Sequence, residues 1–380
     1  MNPLVIFGAS TRAAAFSAIR AGFDPICGDM FADADLRAFA TVLNVPHYPH
    51  GLAEAIQHLP PLPWLYTGAL ENSPIEVEGL SSRNTLWGNA GNSLKRCRDP
   101  WFCRDVLWQA GLPALELHPD SSPPPRGHSW LMKPLRSAAG RAITVWDNDS
   151  TALTEPHYFQ QMAAGVSIAA AFLPTESSAH LLGISEQLIG RGELNAPAFG
   201  YCGSLFPWSG SNPQLEDLIR QIGIVIGREC GLRGLFGIDL ICDGQTAWLI
   251  EVNPRYTASM ELIEYQRQIP LLDWQQRACE EDFSSVSDLP ESITPSSKAY
   301  CGKVVLYADR AARAPDLSAW VPNSITLADL PQLADIPVAG TEIYLGQPVF
   351  TCLGSGDDPQ RLFEGLVQRS QELWSTFRSL

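Results

Sequence analysis

The stretch LFGIDLICDGQTAWLIEVNPR, Leu235 to Arg255, decides how this chain is read. Phe236, Ile238, Leu240 and Cys242 are apolar at every second position, and Trp248, Ile250 and Val252 repeat the pattern beyond Asp243-Gly244. Two strands therefore flank a turn whose residues tolerate positive φ. Residues facing one another across a hairpin point to the same side, so two even-numbered apolar faces require an odd-length loop such as Asp243-Gly244-Gln245. The odd-numbered face then presents Asp239, Glu251 and Asn253 together above a buried apolar layer. Clustered oxygen ligands suit Mg2+, which takes a few carboxylates and completes its shell with water and substrate phosphates. The plain alternative is an amphipathic hairpin with a solvated acidic edge.

The order of an acid (Asp239), a hairpin turn and E-x-N-x-R (Glu251, Asn253, Arg255) resembles the ATP-grasp superfamily. The resemblance implies that Asp239, Glu251 and Asn253 hold Mg-ATP, with two Mg2+ ions and Mn2+ as a substitute, and that Arg255 contacts the transferring phosphate. It also implies an α/β chain, α+β in its nucleotide-binding part. A Rossmann-like pre-ATP-grasp domain is expected over 1–95, and an ATP-grasp domain over 96–282 with its lid near 126–165. A small β-rich, barrel-like C-terminal domain with a terminal helix is expected over 283–380.

Composition is that of an ordinary globular protein: 380 residues, 45% hydrophobic and 18% charged. A formal charge of -15 without a basic stripe argues against nucleic acid or an anionic membrane as partner. No apolar run reaches transmembrane length and the N-terminus lacks a signal pattern, so a cytoplasmic protein is expected. Nine cysteines without C-x-x-C pairing read as reduced core thiols, and His47 and His50 in HYPH read as loop residues. A homodimer is the common prior for the assembly.

Leu4 to Phe7 and the Ala-rich run Thr11 to Ala21 read as strand, turn and helix, the opening of a doubly wound unit. The turn GASTR lacks the G-x-G-x-x-G spacing, which disfavours NAD despite Asp29. Ser10, Thr11 and Arg12 read either as an anion site at a helix start or as a simple cap with a surface arginine. Trp64 to Thr67 reads as another strand, ending in GALENSP; Glu71 and Asn72, with Arg12, are candidate substrate contacts, a plain turn being the rival.

Lys95 to Ala114 reads as basic and then helical, ending AGLPA. In the ATP-grasp pattern a phosphate-binding Lys lies near the start of such a helix; the equivalent position here is Pro100, leaving Arg98 or Lys95 as substitutes. Ser121 to Pro125 reads as a linker, and WLMKP and AITVW as two strands joined through Ser137 to Gly140. The resemblance makes this the lid, with Lys133 on the α- and β-phosphates. It also makes Tyr158 to Phe172 the adenine hinge, with Gln160 or Gln161 and the neighbourhood of Ala163 at the base and Ser167 near the ribose. Leu215 to Cys230 is an amphipathic helix ending at Gly231 and should pack behind the hairpin. Thr257 can cap a helix through TASMELIEY, Phe283 to Ser297 is a polar boundary, and short strands and a helix from Pro359 to about Phe377 complete the chain.

The resemblance implies a ligase that activates a carboxylate as an acylphosphate and joins it to an amine, both small molecules. RAAAFSAIRAG, DMFADADL and GALENSP resemble a bacterial branch linked to tetrahydromethanopterin and methanofuran one-carbon metabolism, which points to amide formation in assembly of such a cofactor. Carboxylation with bicarbonate and ATP binding without turnover are the rival readings.

Overall fold

The computed structural model describes residues 2–45, 48–122, 124–125, 129–146, 155–175, 178–280 and 299–380. His47, the boundary read at 283–297, position 123 of the linker and the lid residues 126–128 and 147–154 lie outside these.

The N-terminal part is a parallel sheet of β1 (Asn2–Gly8), β2 (Phe23–Asp29), β3 (Thr41–Asn44) and β4 (Trp64–Tyr66) in the order β3-β2-β1-β4. Helices α1 (Arg12–Arg20), α2 (Ala34–Phe39), α3 (Leu52–Ala55) and α4 (Pro74–Ser81) accompany it. The strand order reverses between β1 and β4, where an open α/β sheet offers a crevice at its C-terminal edge. Gly8 is required there: a Cβ on it would stand 1.8 Å from Oγ1 of Thr67, whose hydroxyl donates to the Ser10 carbonyl at 2.9 Å.

The helical run expected after the basic start at Lys95 is α6 (Pro100–Gln109), and the basic start itself belongs to a separate helix, α5 (Gly91–Cys97). Asp99 accepts from the backbone N–H groups of Trp101 and Phe102, and Pro100 occupies the first turn, where its missing N–H costs nothing. The break places Arg98 at a corner. Next come β5 (Leu117–Pro119), β6 (Trp130–Pro134), β7 (Thr144–Trp146) and β8 (His157–Gln161), a small sheet in the order β5-β8-β6-β7.

The main sheet has eight antiparallel strands in the order β13-β12-β9-β10-β11-β14-β18-β16. They are β9 (Val166–Pro174), β10 (Ala179–Ile189), β11 (Tyr201–Phe206), β12 (Phe236–Cys242), β13 (Ala247–Asn253), β14 (Tyr300–Tyr307), β16 (Leu333–Ala334) and β18 (Pro348–Gly356). A short sheet of β15 (Ala312–Arg313), β17 (Glu342–Ile343) and β19 (Arg378–Ser379) lies in the C-terminal part. The C-terminal strands thus extend the sheet that carries the hairpin.

Helix α7 (Pro213–Cys230) is capped by the Asn212 side chain and ended by Gly231 at φ 65°. Its buried Leu215, Ile219, Ile222 and Ile226 join Phe236, Ile238 and Leu240 in one core, as the amphipathic pattern demands. Helices α8 (Met260–Arg267), α9 (Leu271–Glu280) and α10 (Pro359–Trp374) complete the chain. Ser259, not Thr257, precedes α8, and no side chain caps that helix.

The hairpin forms, with a different turn. Asp239 pairs with Glu251, but Leu240 pairs with Leu249, so Ile250 is an extra residue, a β-bulge. The loop consequently has four residues, 243–246, closed by the Asp243 carboxylate accepting from the N–H groups of Gln245 (2.9 Å) and Thr246 (2.7 Å). Ala247, Leu249 and Val252 face the core, while Trp248 is half-buried and Ile250 faces the cleft, contrary to the strict even-number reading. The bulge keeps Glu251 beside Asp239 and so preserves the acidic face by a route the alternation alone does not reveal.

Candidate functional site

One cleft of about 880 Å3 is walled by the C-terminal edge of the parallel sheet, the loop 138–140, the 161–169 segment and the hairpin. Asp239, Glu251, Asn253 and Arg255 all line it. Asn253 Nδ2 donates to Asp239 Oδ2 at 3.0 Å, and Gln187 Nε2 to Oδ1 at 3.0 Å. Arg255 Nη2 donates to Asn253 Oδ1 at 3.1 Å and to Glu71 Oε1 at 2.7 Å, and Ser167 Oγ to Gln187 Oε1 at 2.8 Å. Six side chains, from Glu71 through Arg255, Asn253, Asp239 and Gln187 to Ser167, therefore form one hydrogen-bonded string. Ala169, opposite Asp239 on β9, lines the same cleft.

Burial, with Glu251 alongside, pushes Asp239 up to about 7. Burial also raises Glu251, but Arg98, Lys133 and Arg255 outweigh it and hold that carboxyl below its usual range. Two adjacent carboxylates with one held protonated near neutrality are a site that a cation relieves. Among the described residues no group of three or more His, Cys, Asp or Glu is placed to hold a metal ion. The donor set fits Mg2+ arriving with phosphate oxygens better than a resident ion.

Lys133, on β6, is 6% exposed, and its Nζ donates to Gln160 Oε1 at 3.0 Å. Among the described residues no carboxylate lies within ion-pair distance of it, although it lines the cleft. Gln160 is therefore spent on Lys133 and faces a smaller cavity behind the hairpin rather than the main cleft, which Gln161, Ala163 and Ser167 line. Gln161 Oε1 accepts from Glu116 N–H at 3.3 Å.

Arg98 is half-buried and ion-paired with Glu251, and its Nη2 donates to Asn72 Oδ1 at 2.8 Å and to the Ser137 carbonyl at 3.3 Å. It lines the smaller cavity, whereas Lys95 is exposed on α5, so only Arg98 of the two reaches the acidic pair. Asn72 Nδ2 also donates to Ser137 O at 3.0 Å, making Asn72 a holder of the loop and not part of the cleft wall. That loop bends through positive φ at Ala139 (55°), Gly140 (74°) and Ala142 (59°). A Cβ at Gly140 would lie 1.8 Å from the Phe199 carbonyl oxygen, so the one glycine sits where the backbone approaches most closely.

Arg12 and Asp29 of the N-terminal half are both engaged inside the fold, Arg12 against either reading given to it. Arg12 is not a free anion hook: it is ion-paired with Glu261 and Asp335 and is 2% exposed. The Asp29 carboxylate accepts from Thr11 N–H and Oγ1 and from the N–H groups of Phe31 and Ala32, which leaves it no role toward a ribose. Sequence reading does not single out Gln187; its signal is the polar run Ser185-Glu186-Gln187 inside the otherwise apolar LLGISEQLI.

Residues 97–259 match the ATP-grasp domain family. No curated protein matches the sequence. Solved structures similar over nearly the whole chain include L-amino acid ligase from Bacillus licheniformis, with 16% identity, 100% of this chain and 98% of that one covered, and TM-score 0.70. N5-carboxyaminoimidazole ribonucleotide synthetase from Thermus thermophilus has 15% identity, coverage of 97% and 98%, and TM-score 0.69. The biotin carboxylase domain dimer of Hydrogenobacter thermophilus 2-oxoglutarate carboxylase, in complex with MgADP, ADP and bicarbonate, has 13% identity, coverage of 99% and 90%, and TM-score 0.69. ATP-grasp enzymes bind ATP with Mg2+. The chain has the ATP-grasp fold, and its residues 97–259 carry the ATP-grasp domain match.

Proposed function

We propose that this protein is an ATP-dependent carboxylate-amine ligase. The observation that carries the reading is Lys133: a buried ammonium with an amide as its hydrogen-bond partner, lining the same cleft as Asp239, Glu251 and Arg255. A buried cation that no carboxylate contacts among the described residues, Glu251 acting on it only from farther off, is stabilised by a ligand that brings an anion, and a nucleotide phosphate does so.

In this reading Asp239, Glu251 and Asn253 hold Mg-ATP, Lys133 its phosphates, and the 161–167 segment its base and ribose. The substrate carboxylate attacks the γ-phosphate, releasing ADP and forming an acylphosphate; the amine then displaces phosphate and forms the amide. Lys133 and Arg255 neutralise charge on the transferring phosphoryl group. No side-chain nucleophile is needed. The division into 1–95, 96–282 and 283–380 assigns acceptor binding to the first part and nucleotide binding to the second.

The finer reading, amide formation in assembly of a methanofuran-type cofactor, rests on RAAAFSAIRAG, DMFADADL and GALENSP. Arg12, Asp29 and Asn72 within those motifs are engaged in contacts internal to the fold. Nine free cysteines accord with a reducing cytoplasm, and no helix among the described residues is long and apolar enough to cross a membrane.

The test is ADP release from Mg-ATP against a matrix of amino acids and amines, including glutamate with tyramine, with bicarbonate assayed separately. A signal requiring one acid and one amine supports the ligase. Bicarbonate-dependent release without an amine replaces it with a carboxylase.

A further inference from the structure

Away from the hairpin, the same cleft is walled by Arg12, Asp33, Lys303 and Asp335, a second charged group backed by Asp35 and Glu261. Arg12 of α1 makes a two-pronged contact with Glu261 of α8, and its Nε donates to Asp335 Oδ1 at 2.9 Å. Lys303 of β14 donates from Nζ to Glu261 Oε2 at 3.0 Å. Asp35, fully buried on α2, accepts from the N–H groups of Asp335 and Ile336, both at 3.0 Å, and so fixes that segment against α2. Thr351 donates its hydroxyl to Asp335.

Both cations are thereby taken by Glu261 and Asp335. Asp33 is left over. It occupies the N-cap position of α2, where an aspartate ordinarily accepts from the first-turn N–H groups, yet its side chain makes no such bond. It is 9% exposed, lines the cleft, and none of the described residues donates to its carboxylate. An unpaired carboxylate buried to that degree is expensive, and the fold does not use it. Burial pushes Asp33 well above the usual carboxylate range, Asp335, Asp35 and Asp29 adding repulsion that Arg12 only partly offsets. The group holds four carboxylates, Asp33, Asp35, Asp335 and Glu261, against Arg12 and Lys303.

We infer that Asp33, backed by Asp335, binds a protonated amino group of the substrate at this end of the cleft. This deepens the ligase reading and rests on it for the substrate's identity as the amine partner. An ammonium fits better than a metal ion: it needs a few acceptors and carries one charge, whereas a divalent cation needs more free oxygens than Asp33 offers and is repelled twice as strongly by Arg12 and Lys303. A carboxylate-first substrate is disfavoured at this end because Arg12 and Lys303 are already paired.

The test is calorimetric binding of tyramine, putrescine and glycinamide to the full chain, with 4-ethylphenol as the neutral match for tyramine and Mg-ATP titrated in parallel. At least one amine should bind, 4-ethylphenol should bind at least about tenfold more weakly than tyramine if tyramine is that amine, and Asp33→Asn should weaken the amine about 10- to 100-fold. Asp33→Glu, which keeps the charge, should restore part of the loss, separating recognition from misfolding. Unchanged amine affinity in Asp33→Asn, no binding by any of the three amines at millimolar concentration, or loss of Mg2+ rather than amine affinity in that variant overturns the inference. Amine binding that depends on Asp33 without Mg-ATP binding sustains the subsite and sinks the nucleotide reading, so the two fail separately.

Discussion

Arg255, just beyond the hairpin's second strand, is held by Glu71 from the edge of the parallel sheet: Nε and Nη2 both donate to Glu71 Oε1, at 2.9 and 2.7 Å. Glu71 is 3% exposed, and its other oxygen is buried without a hydrogen-bond partner among the described residues. Glu71→Gln removes the counter-ion of a largely buried guanidinium, a change that costs about 3–5 kcal/mol where burial is complete and less here. Turnover should fall about 10- to 100-fold with a smaller change in Mg-ATP affinity. Steady-state ADP release and calorimetry separate the two, and an unchanged turnover number would remove Arg255 from the reaction.

Glu251 has two duties, because Arg98 pairs with it from the corner between α5 and α6. Glu251→Gln should abolish measurable turnover and also lower stability by about 1–3 kcal/mol, since Arg98 loses its carboxylate. Chemical denaturation beside the activity assay reads both; turnover near the parent rate would overturn the assignment of the hairpin.

Lys133→Ala should weaken Mg-ATP binding at least about tenfold. Gln160→Ala, which leaves the ammonium but removes the acceptor that orients it, should weaken it only a few-fold. Equal affinity for parent and Lys133→Ala, read by titration calorimetry, would mean the phosphates lie elsewhere.

Stability should depend on pH through Asp239. Its folded value of about 7 lies above the roughly 3.9 of an unfolded chain, so the folded state holds the proton more tightly. The carboxylate therefore costs nothing at low pH, costs progressively more as the pH rises from about 4 to about 7, and costs its full amount above that. Without Mg2+, Asp239→Asn should melt a few degrees higher than the parent at about pH 8 and show no such gain at about pH 4. A melting difference that does not change with pH would show that Asp239 is not the titrating group.

Asn72 and Arg98 tie the 137–140 loop to the rest of the fold through the Ser137 carbonyl. Asn72→Ala should speed amide exchange in residues 135–142 and raise the KM for ATP a few-fold while leaving exchange in α7 unchanged. Unaltered exchange in the loop would show that Arg98 alone suffices.

Much of this was legible in the chain because it depends on neighbours in sequence. Alternation marked β12 and β13, the 3.6-residue period and Gly231 marked α7, and E-x-N-x-R put three polar groups on one strand end. Asp239 and Glu251 came out as partners even though the loop length was misjudged: a bulge shifts one register and leaves the other intact, and nothing in TAWLIEVN distinguishes a bulged Ile250 from a regular one.

The sequence by itself determined the strand-turn-strand hairpin, the polarity of its two faces, the amphipathic helix behind it and the placement of Lys133 on a strand, since each follows from backbone geometry and short-range periodicity. Tertiary structure decided which charges are free. Arg12 and Arg98 look like anion-binding side chains in one dimension, but they are matched by Glu261, Asp335 and Glu251, between 153 and 323 positions away. Among the described residues Lys133 and Asp33, no different in type, make no ion-pair contact and feel Glu251 and Arg12 only from farther off, because pairing depends on distance and burial in the folded chain and neither is written in local sequence.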